Sequence, residues 1–131
     1  MGKTIGVVGL GRIGKEVVKR AKAFEMDVVG LDLYWPEDFA KEYGVKKADS
    51  FEDIFSNCDI ISLHTNLTDE TRNIIRAETI GKMKENVVIV NCARGELVNT
   101  QDMAAALPLE RLADTLPTYS IKNHHLRIIR C

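Results

Sequence analysis

The chain has 131 residues, 45% of them hydrophobic and 28% charged, with a formal net charge of −1. That length holds one domain with a sizeable core, and the composition excludes a disordered chain. The charge balance gives no reason to expect nucleic-acid binding, and no apolar run approaches a membrane span. Cys58, Cys92 and Cys131 show no metal-ligand spacing, and their odd number leaves no complete disulfide framework. The simplest expectation is a reduced, cytoplasmic protein with no metal, nucleic-acid partner or membrane association.

Residues 4–8 form a short apolar run, expected as a central parallel strand. Residues 12–24 put Ile13, Val17, Val18, Ala21 and Phe24 on one helical stripe, with Lys15, Glu16, Lys19, Arg20 and Lys22 toward water. Residues 27–31 read as the second strand, ending at Asp32. A short helix is expected over 37–43, stopped by Gly44, and a short edge strand at 45–46. Ser50 is a suitable N-cap for a helix over 51–56, with Ile54 and Phe55 inward. Residues 59–63 read as a buried strand ending at His64. Thr68 can cap a turn through Asp69–Arg72, and a helix over 77–84 turns Ile80 and Met83 inward. Residues 87–90 read as a further strand, and Asn99 or Thr100 caps a last helix over 101–107.

The first strand runs directly into Gly9, Gly11 and Gly14, spaced G-x-G-x-x-G, and Asp32 stands 21 residues after Gly11. Each part has its own physical task. Gly9 permits a tight turn, and Gly11 lets a pyrophosphate approach the backbone. Gly14 lets the helix pack closely on the strand. The helix start offers N–H groups and positive dipole character to phosphates. Asp32 accepts hydrogen bonds from ribose hydroxyls and repels a 2′-phosphate, so NAD is expected over NADP. The bland alternative is a glycine-rich turn that binds nothing.

Strands alternating with helices imply an α/β fold, a doubly wound parallel sheet of the Rossmann kind. Five to six strands are expected, with the order 3-2-1-4-5, the sheet being incomplete at its C-terminal side. The ligand crevice of such a sheet lies outside the carboxyl ends of its strands. The glycine turn, Asp32, His64 and Arg94 all follow strand ends, so the topology gathers them on one side.

Four stretches carry a family resemblance. They are Val8-Gly9-Leu10-Gly11-Arg12-Ile13-Gly14, then Asp32-Leu33-Tyr34, then Ser62-Leu63-His64-Thr65-Asn66-Leu67-Thr68 with Glu70-Thr71-Arg72, and Met83-Lys84 with Val90-Asn91-Cys92-Ala93-Arg94-Gly95-Glu96-Leu97-Val98-Asn99. Over residues 3–107 the chain resembles the NAD-binding domain of the D-isomer-specific 2-hydroxyacid dehydrogenases, of the phosphoglycerate dehydrogenase kind. The resemblance implies that Arg12 and Ile13 present N–H groups to the pyrophosphate and that Asp32 holds the ribose. His64 and Thr65 would line the adenosine side, and Cys92, Ala93 and Arg94 the nicotinamide side. Arg94 matches the family's catalytic arginine, which clamps the carboxylate of a 2-hydroxy or 2-oxo acid and polarises its carbonyl. Two plainer readings stay open: Arg94 as a surface cation pairing with a nearby acid, and His64 as a structural strand-end histidine.

The chain also departs from the family. Glu25 and Asn86 stand where glycine is usual, Asn66 where proline is usual, and Asn99 where aspartate is usual. If Glu25 is left-handed, it costs on the order of 1–2 kcal/mol. The family's substrate domain, catalytic glutamate and proton-transfer histidine have no match here. Glu110, His124 and His125 lack the family's surrounding motif, and residues 108–131 read as a divergent basic tail after a domain spanning 1–107. Negligible dehydrogenase activity is therefore expected from this chain alone. If the sheet stops at 87–90, an apolar strand becomes an open edge. A second copy or a full-length relative can pair there, or residues 126–129 can fill the place. The competing readings are a non-catalytic nucleotide- or partner-binding module and a truncated gene product without function.

Overall fold

The computed structural model describes residues 2–99, 107–108, 118–121 and 124–130. Its first βαβ unit is β1 (Thr4–Val8), α1 (Arg12–Ala23) and β2 (Asp27–Leu31). Then come α2 (Glu37–Tyr43), β3 (Lys46–Lys47), α3 (Phe51–Asn57) and β4 (Ile60–Leu63). α4 (Ala77–Ile80) and β5 (Val87–Asn91) follow, with a 3-10 turn at Gly95–Leu97. The last strands are β6 (Leu107–Pro108), β7 (Thr118–Ile121) and β8 (His124–Arg130).

All eight strands join one sheet in the order β3-β2-β1-β4-β5-β8-β7-β6. The pairings from β3 to β8 are parallel, giving six parallel strands, while β7 and β6 add antiparallel to that edge. The expected Rossmann arrangement and 3-2-1-4-5 order are therefore present.

β1 shows why helices cover both faces. Side chains alternate along a strand. Ile5 and Val7 join one core cluster, with Val18 and Ala21 of α1 and Ala40 of α2. Val8 points the other way, into a cluster with Ile54 and Phe55 of α3, Ile61 and Leu63 of β4, and Ile80 of α4. The central strand is apolar throughout because both of its faces are dry.

Of the two expectations for β5, an open edge or cover by residues 126–129, the second is the one present. β8 lies beside β5 in parallel register, pairing Val87 with Leu126 and Ile89 with Ile128. Leu126 is fully buried and belongs to the larger core cluster. The basis for recruiting a second copy or a relative through an unpaired β5 therefore disappears. The apolar residues at 126, 128 and 129 and the adjacent apolar β5 satisfy each other's backbone and side chains within one chain. The helix expected at 101–106 lies outside the described residues, while Leu107, its expected last residue, belongs to β6.

Other local expectations need correction. On α1 the buried stripe is Gly14, Val18 and Ala21, spaced i, i+4, i+7. Ile13 is 62% exposed and Phe24 75% exposed. Ile13 lies one residue off that stripe, and Phe24 follows the helix end, where the periodicity stops. Ser50 holds the N-cap position of α3 without a side-chain cap bond. Instead the Asp49 N–H donates to Asp53 Oδ2 at 2.9 Å. α4 stops at Ile80 rather than 84, because Lys82 and Met83 donate three residues back, to Thr79 and Ile80. Thr68 caps its turn as expected, accepting the Thr71 N–H at 3.2 Å.

Glu25 has φ 60° and Asn86 φ 64°, both in the left-handed region. Asn tolerates that region; glutamate gains nothing there and carries a Cβ penalty. Two stability predictions follow from these placements. Glu25→Gly should raise the free energy of unfolding in urea by about 1 kcal/mol, with the slope unchanged. Leu126→Ala should lower it by about 2–5 kcal/mol, as truncation of a buried core leucine does.

Candidate dinucleotide site

The strand ends are joined one residue past each strand. The Gly9 N–H donates to Leu31 O at 2.8 Å, the His64 N–H to Val8 O at 2.7 Å, and the Cys92 N–H to Leu63 O at 3.2 Å. These bonds carry the parallel ladder into the loops. The glycine turn, the segment after β4 and the segment after β5 are therefore held side by side.

Three segments, 11–14, 64–67 and 92–94, line a crevice of about 670 Å³ at this end of the sheet. Of the residues singled out from sequence, Gly11, Arg12, Ile13, Gly14, His64, Thr65, Cys92, Ala93 and Arg94 all lie on it. Gly9 and Asp32 do not line it but build the turn behind it. Gly9 has φ 95°, and a Cβ there would stand 2.7 Å from the His64 carbonyl carbon. A Cβ on Gly14 would overlap the Gly9 carbonyl oxygen. A Cβ on Gly11 would meet nothing within 4 Å, so that side of the turn opens to a ligand.

Asp32 ties β2 to the glycine turn. Its Oδ2 accepts the Leu10 N–H at 2.6 Å and its Oδ1 accepts the Tyr34 N–H at 2.9 Å. A carboxylate has about four acceptor sites, so both oxygens keep capacity for ribose hydroxyls. The first turn of α1 carries no acidic residue, and Gly11 offers no side-chain cap. The N–H groups at the start of α1 thus keep their positive end unneutralised. The donors, the open side of Gly11 and the Asp32 acceptor fit a dinucleotide.

Several contributors were not singled out from sequence. Asn66 and Leu67 also line the crevice. Asn91 is buried and shapes the loop after β5. Its Oδ1 accepts the Ala93 N–H at 3.0 Å and its Nδ2 donates to Arg94 O at 3.1 Å. Ser62 Oγ and His64 Nε2 lie 2.6 Å apart. The i, i+2 spacing of Ser62 and His64 along β4 was the available signal. Arg94 carries an exposed guanidinium, 64% accessible, whose Nη2 lies 3.2 Å from Glu96 Oε2. So exposed a pair holds its partners weakly. The Glu96 carboxylate is held below its usual range by its own backbone N–H first and then by Arg94.

A profile of the D-isomer specific 2-hydroxyacid dehydrogenase NAD binding domain matches residues 1–125. The chain belongs to that family. NAD is the cofactor of this domain. The match runs past residue 107, the boundary read from the sequence. D-3-phosphoglycerate dehydrogenase of Methanocaldococcus jannaschii is 50% identical over 106 residues, which cover 81% of this chain and 20% of that protein. Hydroxypyruvate reductase of Thermotoga maritima is 45% identical over 102 residues, covering 77% of this chain and 32% of that protein. The NAD-complexed D-isomer specific 2-hydroxyacid dehydrogenase of Lactobacillus delbrueckii ssp. bulgaricus superposes with a TM-score of 0.71 at 33% identity, over 78% of this chain and 31% of that one. The chain therefore spans a fifth to a third of the length of these relatives.

Two expectations about surroundings are narrower in this dehydrogenase domain. Among the described residues no helix is long and apolar enough to cross a membrane, and no cluster of metal-ligating side chains occurs. Among the described residues Cys58 is free and buried.

His64 is half-buried, and burial holds its imidazole below the ordinary 6.5. The unfolded chain takes up a proton near pH 6.5, whereas the folded chain resists it. Stability from this group is complete above that pH and falls as pH drops through it. His64→Gln should therefore flatten part of the loss in urea-unfolding free energy between about pH 8 and pH 5. An unchanged slope with pH would show that His64 carries no such linkage.

Proposed function

We propose that this chain binds NAD(H) in the crevice as the cofactor-binding portion of a D-2-hydroxyacid dehydrogenase. The observation that carries the reading is the convergence of three strand ends on one crevice. An unblocked helix start lies at one side of it and Arg94 at the other. In this reading the N–H groups of Arg12 and Ile13 bind the pyrophosphate, and Asp32 holds the adenosine ribose. Leu33 and Tyr34, 89% and 87% exposed beside Asp32, offer apolar surface to the adenine. His64 and Thr65 form the wall on the adenosine side, and Cys92 and Ala93 border the nicotinamide.

When bound, the nicotinamide supplies a site that accepts or donates hydride at the substrate carbon. The part assigned to this chain is orientation and charge. Arg94 leaves its weak contact with Glu96 and takes the carboxylate of a 2-hydroxy or 2-oxo acid bidentately. Its charge also polarises the neighbouring carbonyl oxygen. Hydride transfer further needs a proton donor at that oxygen and exclusion of water. Among the described residues lining the crevice there is no carboxylate, and the one imidazole is hydrogen-bonded to Ser62. Little turnover is therefore proposed for this chain alone, general acid–base help being worth ~10²–10⁴ in rate.

Titration of NADH fluorescence tests the reading. The chain should bind NADH with a dissociation constant in the micromolar to submillimolar range and bind NADPH more weakly. Asp32→Arg should reverse that preference, because it replaces a carboxylate that repels a 2′-phosphate by a group that attracts it. Gly11→Val should weaken NADH binding at least tenfold while leaving the fold intact, since the added atoms enter the open side of the turn. Absence of binding up to millimolar NADH, from a folded sample, would overturn the proposal.

A further inference from the structure

Ser62 on β4 and His64 just past its end stand two residues apart, so their side chains share a face of the sheet. Ser62 Oγ lies 2.6 Å from His64 Nε2. The distance alone leaves open which atom donates; burial decides it. Ser62 is 3% exposed, and its neighbours in register are Val7 of β1 and Val90 of β5, whose side chains accept no hydrogen bond. Among the described residues the imidazole is the one partner of its hydroxyl. If the ring donated to Oγ, the hydroxyl proton would be buried without an acceptor and would cost its full desolvation. The hydroxyl therefore donates, Nε2 accepts, and the ring proton sits on Nδ1.

We infer that Ser62 is a positioning residue: its hydroxyl locks His64 as the Nδ1–H tautomer, which gives the crevice one neutral donor for an acceptor oxygen on the adenosine half of the bound dinucleotide. The lock stands on the geometry of the folded chain; the ligand contact rests on the proposed NAD(H) site.

Nδ1 has no partner among the described residues, and His64 lines the crevice with Gly11, Arg12 and Ile13. The wall it joins already carries the N–H groups of the first turn of α1. A wall of donors is completed by an acceptor-rich ligand, and phosphate and ribose oxygens are of that kind. Protonating the ring would turn Nε2 into a donor and leave the Ser62 hydroxyl proton without an acceptor. Burial of His64, which lowers its pKa, favours the neutral ring in the same direction.

The test uses the full chain isotopically labelled at nitrogen. Histidine ring spectra, with His64 assigned by the signal lost in His64→Gln, should show Nε2 unprotonated and Nδ1 protonated. Ser62→Ala removes the hydroxyl, and averaged shifts from two exchanging tautomers should replace that pattern. NADH, and ADP-ribose, which lacks the nicotinamide, should both bind Ser62→Ala roughly two- to tenfold more weakly than the unaltered chain. Ser62→Thr and Ser62→Val share one outline, and only threonine keeps a hydroxyl. The threonine variant should retain the Nδ1–H pattern and bind NADH roughly two- to tenfold more tightly than the valine variant.

A ring protonated at Nε2 in the unaltered chain, or the same tautomer in Ser62→Ala, would overturn the lock. A changed tautomer with unchanged affinity, or a loss seen for NADH and not for ADP-ribose, would overturn the contact to the adenosine half. If the folded, unaltered chain binds neither ligand, the proposed cofactor function and this contact both fail, while the ring spectra still decide the lock.

Discussion

The close approach of Gly14 to the Gly9 carbonyl is the contact on which the rest of the arrangement depends. A single Cβ at either position has nowhere to go: one would overlap the other residue's carbonyl oxygen, and the other would press on the His64 backbone. That spacing brings α1 down onto the end of β1 and aims its first N–H groups across the crevice. It also seats β4 against the turn, so that His64 can donate to Val8 O. Asp32 completes the closure from β2 by accepting the Leu10 N–H. Glycine here serves packing first, and the ligand-facing consequence follows from it.

The same economy of space governs the loop after β5. Asn91 folds that loop back on itself with one accepted and one donated hydrogen bond. Arg94 is left at the mouth, exposed and lightly held by Glu96. An arginine so placed keeps its charge and can change partners at small cost. A buried pair would hold it too firmly to meet a carboxylate arriving from solvent. On the opposite wall Ser62 Oγ holds the half-buried His64 ring, whose pKa burial lowers.

Much of the fold could be read in advance because its signals are local. The apolar runs of β1 and β2 are bounded by glycine and aspartate, and the strand bounds match the expected ones. Nine of the eleven expected site residues reach one crevice, because strand ends in a parallel sheet share a side. The misses are of another kind. Ile13 and Phe24 match the apolar character of the α1 stripe, yet the helix phase and its end leave them in water. Ser50 occupies a cap position, but Asp53 answers the neighbouring N–H instead. In each case several local solutions have similar energy, and neighbours in space choose among them.

By itself the sequence determined the dinucleotide turn, the acid after β2, the order of the first five strands and the membership of the family. Those depend on residue type and spacing within short stretches: glycines where a Cβ cannot fit, a carboxylate at a strand end, and apolar runs buried on both faces. Only the tertiary structure decided which of the two expected fates β5 takes, an open edge or cover by residues 126–129. β8 pairs with β5 although their sequences are far apart, and Leu126 becomes core only once that pairing exists. Apolar strands such as β8 can pair with any exposed edge. The register that puts Val87 beside Leu126 and Asn91 beside Arg130 depends on the packing of the whole sheet.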